Sequence, residues 1–115
     1  MSISPEVPQV DAESGSRLVE DGAFLLDVRE PDEWMAGHAS AATHIPLAQV
    51  PSRAAEIPTD IPVVAICRGG ARSQRAAEFL RAQGVDAMNL AGGMRAWAAA
   101  GLDVITEDGE PGTVI

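Results

Sequence analysis

Val63-Val64-Ala65-Ile66-Cys67-Arg68-Gly69-Gly70-Ala71-Arg72-Ser73 is the stretch whose reading decides the fold. A short apolar run of this kind, bounded by turn residues, predicts a buried strand. After Ser73, residues 74–83 place Ala76, Phe79 and Leu80 at helical spacing on one face, which predicts an amphipathic helix. Cys67, the only cysteine, therefore falls where a strand ends and a helix begins. Two consecutive glycines let the backbone turn tightly and aim N–H groups inward, and the first helical turn adds unpaired N–H groups and the positive end of its dipole. Such a turn favours an anion. A cysteine held there or beside arginine has its pKa lowered from about 8.5 to roughly 3.5–7.5.

Working outward, the same alternation recurs. Gln9-Val10 can open a strand, Asp11 is a plausible N-cap for a helix over 12–20, and Ala23-Phe24-Leu25-Leu26 is a second apolar run that ends in Asp27-Val28-Arg29-Glu30. Pro31 suits the first turn of a helix through Ala36, with Gly37 as a left-handed stop and Trp34 as a core contact. A short helix is expected over 50–57, a strand near Thr43, another strand over 85–90 after a Gly84 stop, and a last helix over 94–100. For Gly92-Gly93 close packing is the reading preferred over a phosphate loop. Short strands alternating with helices predict an α/β layer fold with a mainly parallel sheet, because parallel neighbours need crossover connections.

The chain has 115 residues, the size of one ordinary domain with its own core. The expected division is a loose N-terminus over 1–8, a domain over 9–104 and an acidic tail over 105–115. One cysteine excludes an internal disulfide, and His38 and His44 alone do not make a zinc site with it, so no metal or other cofactor is expected. The free thiol suits a reducing, cytoplasmic setting, and no apolar run approaches the ~20 residues of a membrane span. The net charge is −9, with eight arginines and no lysine, which argues against nucleic acid or an anionic membrane as partner. Arg68, Arg72 and Arg75 nevertheless cluster beside Cys67, making a local cationic site on an acidic body. Arg75 and Arg81 are read as solvating one helix face. Asp27 and Arg29, at a strand's carboxyl end, either support a site or form a buried pair that fixes a loop. His38 and His44 are read as loop anchors rather than bases for Cys67.

Asp27-Val28-Arg29-Glu30-Pro31 with Glu33-Trp34, Gly37-His38, Ile45-Pro46-Leu47, the run Cys67 to Ser73, and Leu90-Ala91-Gly92-Gly93 with Ala96-Trp97 and Gly101-Leu102 together resemble a single-domain rhodanese, over about Val10 to Val104. The resemblance implies a rhodanese-like α/β fold: a five-stranded parallel sheet with helices on both faces. It also implies that Cys67 accepts a sulfane sulfur as a persulfide and passes it to a thiol, a protein acceptor or cyanide. A small anionic donor such as thiosulfate would meet Arg72, assisted by Arg68, while the amides from Arg68 through Gly69, Gly70, Ala71 and Arg72 to Ser73 cradle the sulfur. Phosphatases of similar fold, and arsenate reductases with them, form one competing reading. Their catalytic loop is one residue longer, whereas Cys67 and Arg72 are separated by four residues. A non-catalytic regulatory module of the same fold is the other, and the presence of Cys67 with Arg72 argues against it. The chain departs from the pattern at His44, where Asn is frequent, at Ala39-Ser40-Ala41-Ala42 in place of Ile-Pro-Gly-Ala, and at Gly69, which removes a loop side chain.

Overall fold

The computed structural model describes residues 3–115. Among these residues five strands, β1 (Gln9–Val10), β2 (Phe24–Asp27), β3 (Ala42–His44), β4 (Val63–Ile66) and β5 (Ala87–Leu90), form one sheet in the order β1-β5-β4-β2-β3. Every neighbouring pair is parallel, so each connection crosses a face of the sheet. Helices α1 (Ala12–Glu20), α2 (Pro31–Ala36) and α3 (Ala71–Ala82) lie in three of those crossings, and α4 (Gly93–Ala99) follows β5.

The side-chain alternation of the strands divides the core in two. Leu26, Val63, Ala65, Cys67 and Ala87 join Ala76, Ala77 and Leu80 of α3 on one face. Leu25, Val64, Ile66, Met88 and Leu90 join Ala12 of α1 with Met94 and Trp97 of α4 on the other. Strands buried on both faces need no polar alternation, which is why β4 reads as an uninterrupted apolar run. In α1, Asp11 caps Ser14 N at 2.8 Å. Gly15 sits where a Cβ would come within 2.8 Å of Leu90 Cδ1, so this glycine lets α1 approach β5.

Four expectations are corrected. Residues 50–57 do not form an α-helix: one 3-10 turn, Leu47–Gln49, precedes them and a second, Ala54–Glu56, lies within them. Pro51 donates no backbone bond, Pro58 closes the segment, and the bonds on either side, such as Val50 N to Leu47 O at 3.1 Å and Ile57 N to Ala54 O at 3.0 Å, span three residues, with a single four-residue bond, Arg53 N to Gln49 O at 3.0 Å, between them. Gly37 has φ 165°, an extended conformation open to any residue. Its lack of a side chain matters because a Cβ would lie 2.7 Å from Thr113 N and O. Trp34 is half-buried rather than in the core, stacked on His38 at a centroid distance of 3.5 Å and on His44 at 4.8 Å. Arg81 is buried, donating to Ala87 O at 2.8 Å and to Ser4 O at 2.6 Å; its position on α3 turns it toward the sheet edge rather than to solvent.

The expectation of a loose N-terminus falls partly on residues 1 and 2, which lie outside the described residues. Within the described part, Ser4 O is engaged by Arg81 and Val7 packs against the core. At the other end, Ile105 exchanges backbone hydrogen bonds with His38, at 2.8 and 2.9 Å, and Thr113 N donates to Ala36 O. No helix among the described residues is long and apolar enough to cross a membrane.

Candidate active site

Cys67 follows β4 directly, at the centre of the sheet's carboxyl edge, with only 1% of its surface exposed. Gly70, at φ +112°, adopts the left-handed conformation that glycine takes without steric cost. From there the chain enters α3, so that Ala71, Arg72 and Ser73 form its first turn. Two donors reach the sulfur: Gly70 N at 3.1 Å and Ser73 Oγ at 3.2 Å.

A second contact orients the loop from outside. The first amides of α4 donate to the loop's carbonyls, Met94 N to Cys67 O at 2.7 Å and Arg95 N to Arg68 O at 3.1 Å. Across a planar trans peptide the C=O and the next N–H point in opposite directions. Pinning the Cys67 and Arg68 carbonyls toward α4 therefore turns the following amides, of Arg68 and Gly69, away from it, and the Gly69 amide is one of those that act on the sulfur. Gly93 makes this contact sterically feasible: at φ +57°, a Cβ would sit 2.6 Å from the Arg68 carbonyl. The close-packing role expected of Gly92-Gly93 is what the structure shows.

The electrostatics follow. Burial alone would push the Cys67 thiol up, but the Ser73 hydroxyl and the amides of Ser73, Gly70 and Gly69 outweigh it and hold the thiol below its ordinary value.

The other predicted residues divide. Arg72 is not a free cation: its Nη1 and Nη2 donate to Glu33 Oε1 and Oε2 at 2.7 and 2.9 Å. Arg68 is exposed, with Nε donating to Ile115 O at 2.9 Å. Gly69 and Ala71 are exposed on the rim of the turn. Asp27 and Arg29 do not reach the sulfur by any hydrogen bond; they form a fully buried pair at 2.8 Å. Arg29 also donates to Gly37 O at 2.8 Å and Glu33 O at 3.3 Å, so the pair anchors α2, the helix that presents Glu33 to Arg72. Thus the structural alternative for this pair holds, with an indirect effect on the site. His44 Nε2 lies 2.7 Å from Arg29 O, and His38 Nδ1 lies 2.9 Å from Trp34 O; both anchor loops.

Two residues were not given roles by sequence reasoning. Glu33 was visible only as part of a motif. Asn89 is buried on β5, accepts from Ser73 Oγ at 2.6 Å and donates to Gly70 O at 3.1 Å. A polar residue inside the apolar run Ala87-Met88-Asn89-Leu90 signals a buried partner, although it does not say which. Among the described residues no group of three or more His, Cys, Asp or Glu is placed to hold a metal ion.

Comparison with known proteins agrees with this geometry. The family model described as "Rhodanese-like domain" matches residues 11–100. A sulfurtransferase of Allochromatium vinosum is 40% identical over 106 residues, covering 90% of this chain and 99% of that protein. The thiosulfate sulfurtransferase GlpE of Pseudomonas aeruginosa is 33% identical over 96 residues, covering 83% of this chain and 87% of that one. Among solved structures, a rhodanese-related protein from Thermoplasma volcanium superposes with a TM-score of 0.82 at 28% identity, covering 87% of this chain and 99% of its own.

Proposed function

The chain belongs to the rhodanese-like domain family, and on that premise we propose that it is a sulfurtransferase which carries a sulfane sulfur as a persulfide on Cys67. The observation that carries the reading is the pair of donors aimed at one buried sulfur, Gly70 N and Ser73 Oγ. A thiolate held in this way is the nucleophile that sulfur transfer requires. In the forward step Cys67 Sγ attacks the outer sulfur of a donor such as thiosulfate. A new S–S bond forms, the donor's S–S bond breaks, and sulfite leaves with its electron pair. The persulfide so formed is an anion, and the loop amides are preorganised donors for it. A thiol, a protein thiolate or cyanide then takes the outer sulfur and returns Cys67 to the thiolate.

Arg72 contributes positive charge near the loop while tied to Glu33, and the N–H groups not used in that pair remain for the donor's oxygens. The short spacing of Cys67 and Arg72 favours sulfur over a tetrahedral phosphate. The expected result is thiocyanate production from thiosulfate and cyanide, abolished in Cys67→Ser, with hydrolysis of an aryl phosphate slower than sulfur transfer. Faster aryl phosphate hydrolysis would instead support a phosphatase.

A further inference from the structure

The Ser73 hydroxyl has one hydrogen and two acceptors. Its Oγ lies 3.2 Å from Cys67 Sγ and 2.6 Å from Asn89 Oδ1, and one hydroxyl hydrogen serves only one of them well at a time. Asn89 is 4% exposed, and its amide is fixed in orientation. Nδ2 donates to Gly70 O at 3.1 Å and to Gln9 Oε1 at 2.8 Å, while Gln9 Nε2 donates to Gln74 Oε1 at 2.6 Å. With both Nδ2 hydrogens engaged, the group turned to Ser73 is Oδ1, an acceptor with no proton to offer. We propose that Asn89 is a positioning residue that sets the balance between empty and sulfur-loaded Cys67 by competing with Sγ for the single Ser73 hydroxyl proton.

The two states make opposite demands. As a thiolate, Sγ carries the negative charge and draws the hydroxyl hydrogen, because hydrogen bonds to charged groups are the stronger ones; Asn89 Oδ1 then loses its donor in a buried place, at a cost. When Sγ bonds a second sulfur, or a proton, it becomes a neutral, weak acceptor, and the hydroxyl returns to Asn89. Asn89 thus favours the loaded and protonated forms over the bare thiolate. The loading half of this inference rests on the proposed sulfurtransferase reading; the competition for the proton does not, since it is a property of the thiol itself.

The test is the pH dependence of Cys67 alkylation by iodoacetamide in the full chain. Asn89→Leu leaves the hydroxyl to the sulfur and lowers the thiol pKa by about 0.5–1 unit, or roughly three- to tenfold more thiolate below the pKa. Ser73→Ala raises it, and in the Ser73→Ala background Asn89→Leu no longer lowers it, because the competition for the hydroxyl proton is gone; any shift that persists there measures the separate Asn89 bond to Gly70 O. The charged groups about the loop are unchanged in every variant: Arg68 within it, Arg72 on α3 with Glu33 on α2, Arg95 on α4, and the pair of Asp27, at the end of β2, with Arg29. Should Asn89→Leu fail to fold, Asn89→Ala serves, with the same lowering expected and the same loss of the effect when Ser73 is Ala. An unchanged or raised pKa in Asn89→Leu, or a shift of equal size with and without Ser73, overturns the proposal. At a fixed thiosulfate concentration Asn89→Leu should also hold severalfold less persulfide than the wild type. If no donor loads Cys67 in any variant, the sulfurtransferase reading fails while the alkylation result still decides the role of Asn89.

Discussion

Glu33 meets Arg72 through two parallel hydrogen bonds and accepts a third from Glu30 N at 3.0 Å. The Arg72 guanidinium is the main reason the Glu33 carboxyl is held down at about 2, against an ordinary 4.5. A carboxyl whose folded pKa lies below its unfolded value stabilises the fold fully above the unfolded pKa, and that stabilisation fades as pH falls toward the folded one. Here the window runs from 4.5 down to about 2. Glu33→Gln has no such group to titrate. The melting temperature of the wild type should therefore fall more steeply than that of Glu33→Gln across this window, the difference between the two curves isolating Glu33 from the other acids. Parallel curves would show that the pair contributes nothing. The pair also commits the Arg72 guanidinium, so on the proposed sulfurtransferase reading an anionic donor would meet a shared cation rather than a free one.

At the scale of elements, the loop after β4 is shaped by α4 as much as by its own glycines. Gly93→Ala would drive a methyl group into the Arg68 carbonyl from a left-handed backbone position. Overpacking and the unfavourable backbone together should cost about 2–5 kcal/mol in chemical denaturation. Gly69→Ala meets nothing within 4 Å and should change stability by less than about 0.5 kcal/mol. Equal effects of the two would refute the assignment of Gly93 to the loop's support. The contrast also marks how far the sequence could be read. The apolar runs of β2 and β4, the turn at Gly70 and the cap at Asp11 are local signals, and each led to the right element. The segment from Leu47 to Glu56 did not, because short apolar spacing cannot separate one α-turn from two 3-10 turns when prolines remove backbone donors. The partners of Arg72 and Ser73 stood beyond reach for another reason: Glu33 and Asn89 are distant in sequence, and only the sheet order brings their elements to the same edge.

Across the whole molecule, the parallel sheet delivers Cys67 to its carboxyl edge, where open α/β sheets place their sites. The net charge is −9, yet the groups that hydrogen-bond the Cys67 sulfur are uncharged, the Gly70 amide and a hydroxyl shared with β5. Among the described residues Arg72 at the site, and Arg17, Arg29, Arg53 and Arg81 elsewhere, are each paired to a carboxylate. The claim on which the account turns is that this sulfur is loaded covalently. Its most direct test is the intact mass of the protein after incubation with thiosulfate and removal of excess donor. A gain of one sulfur atom, absent in Cys67→Ser and reversed by cyanide, is the predicted result; an unchanged mass with thiosulfate and with an organic persulfide donor would contradict it.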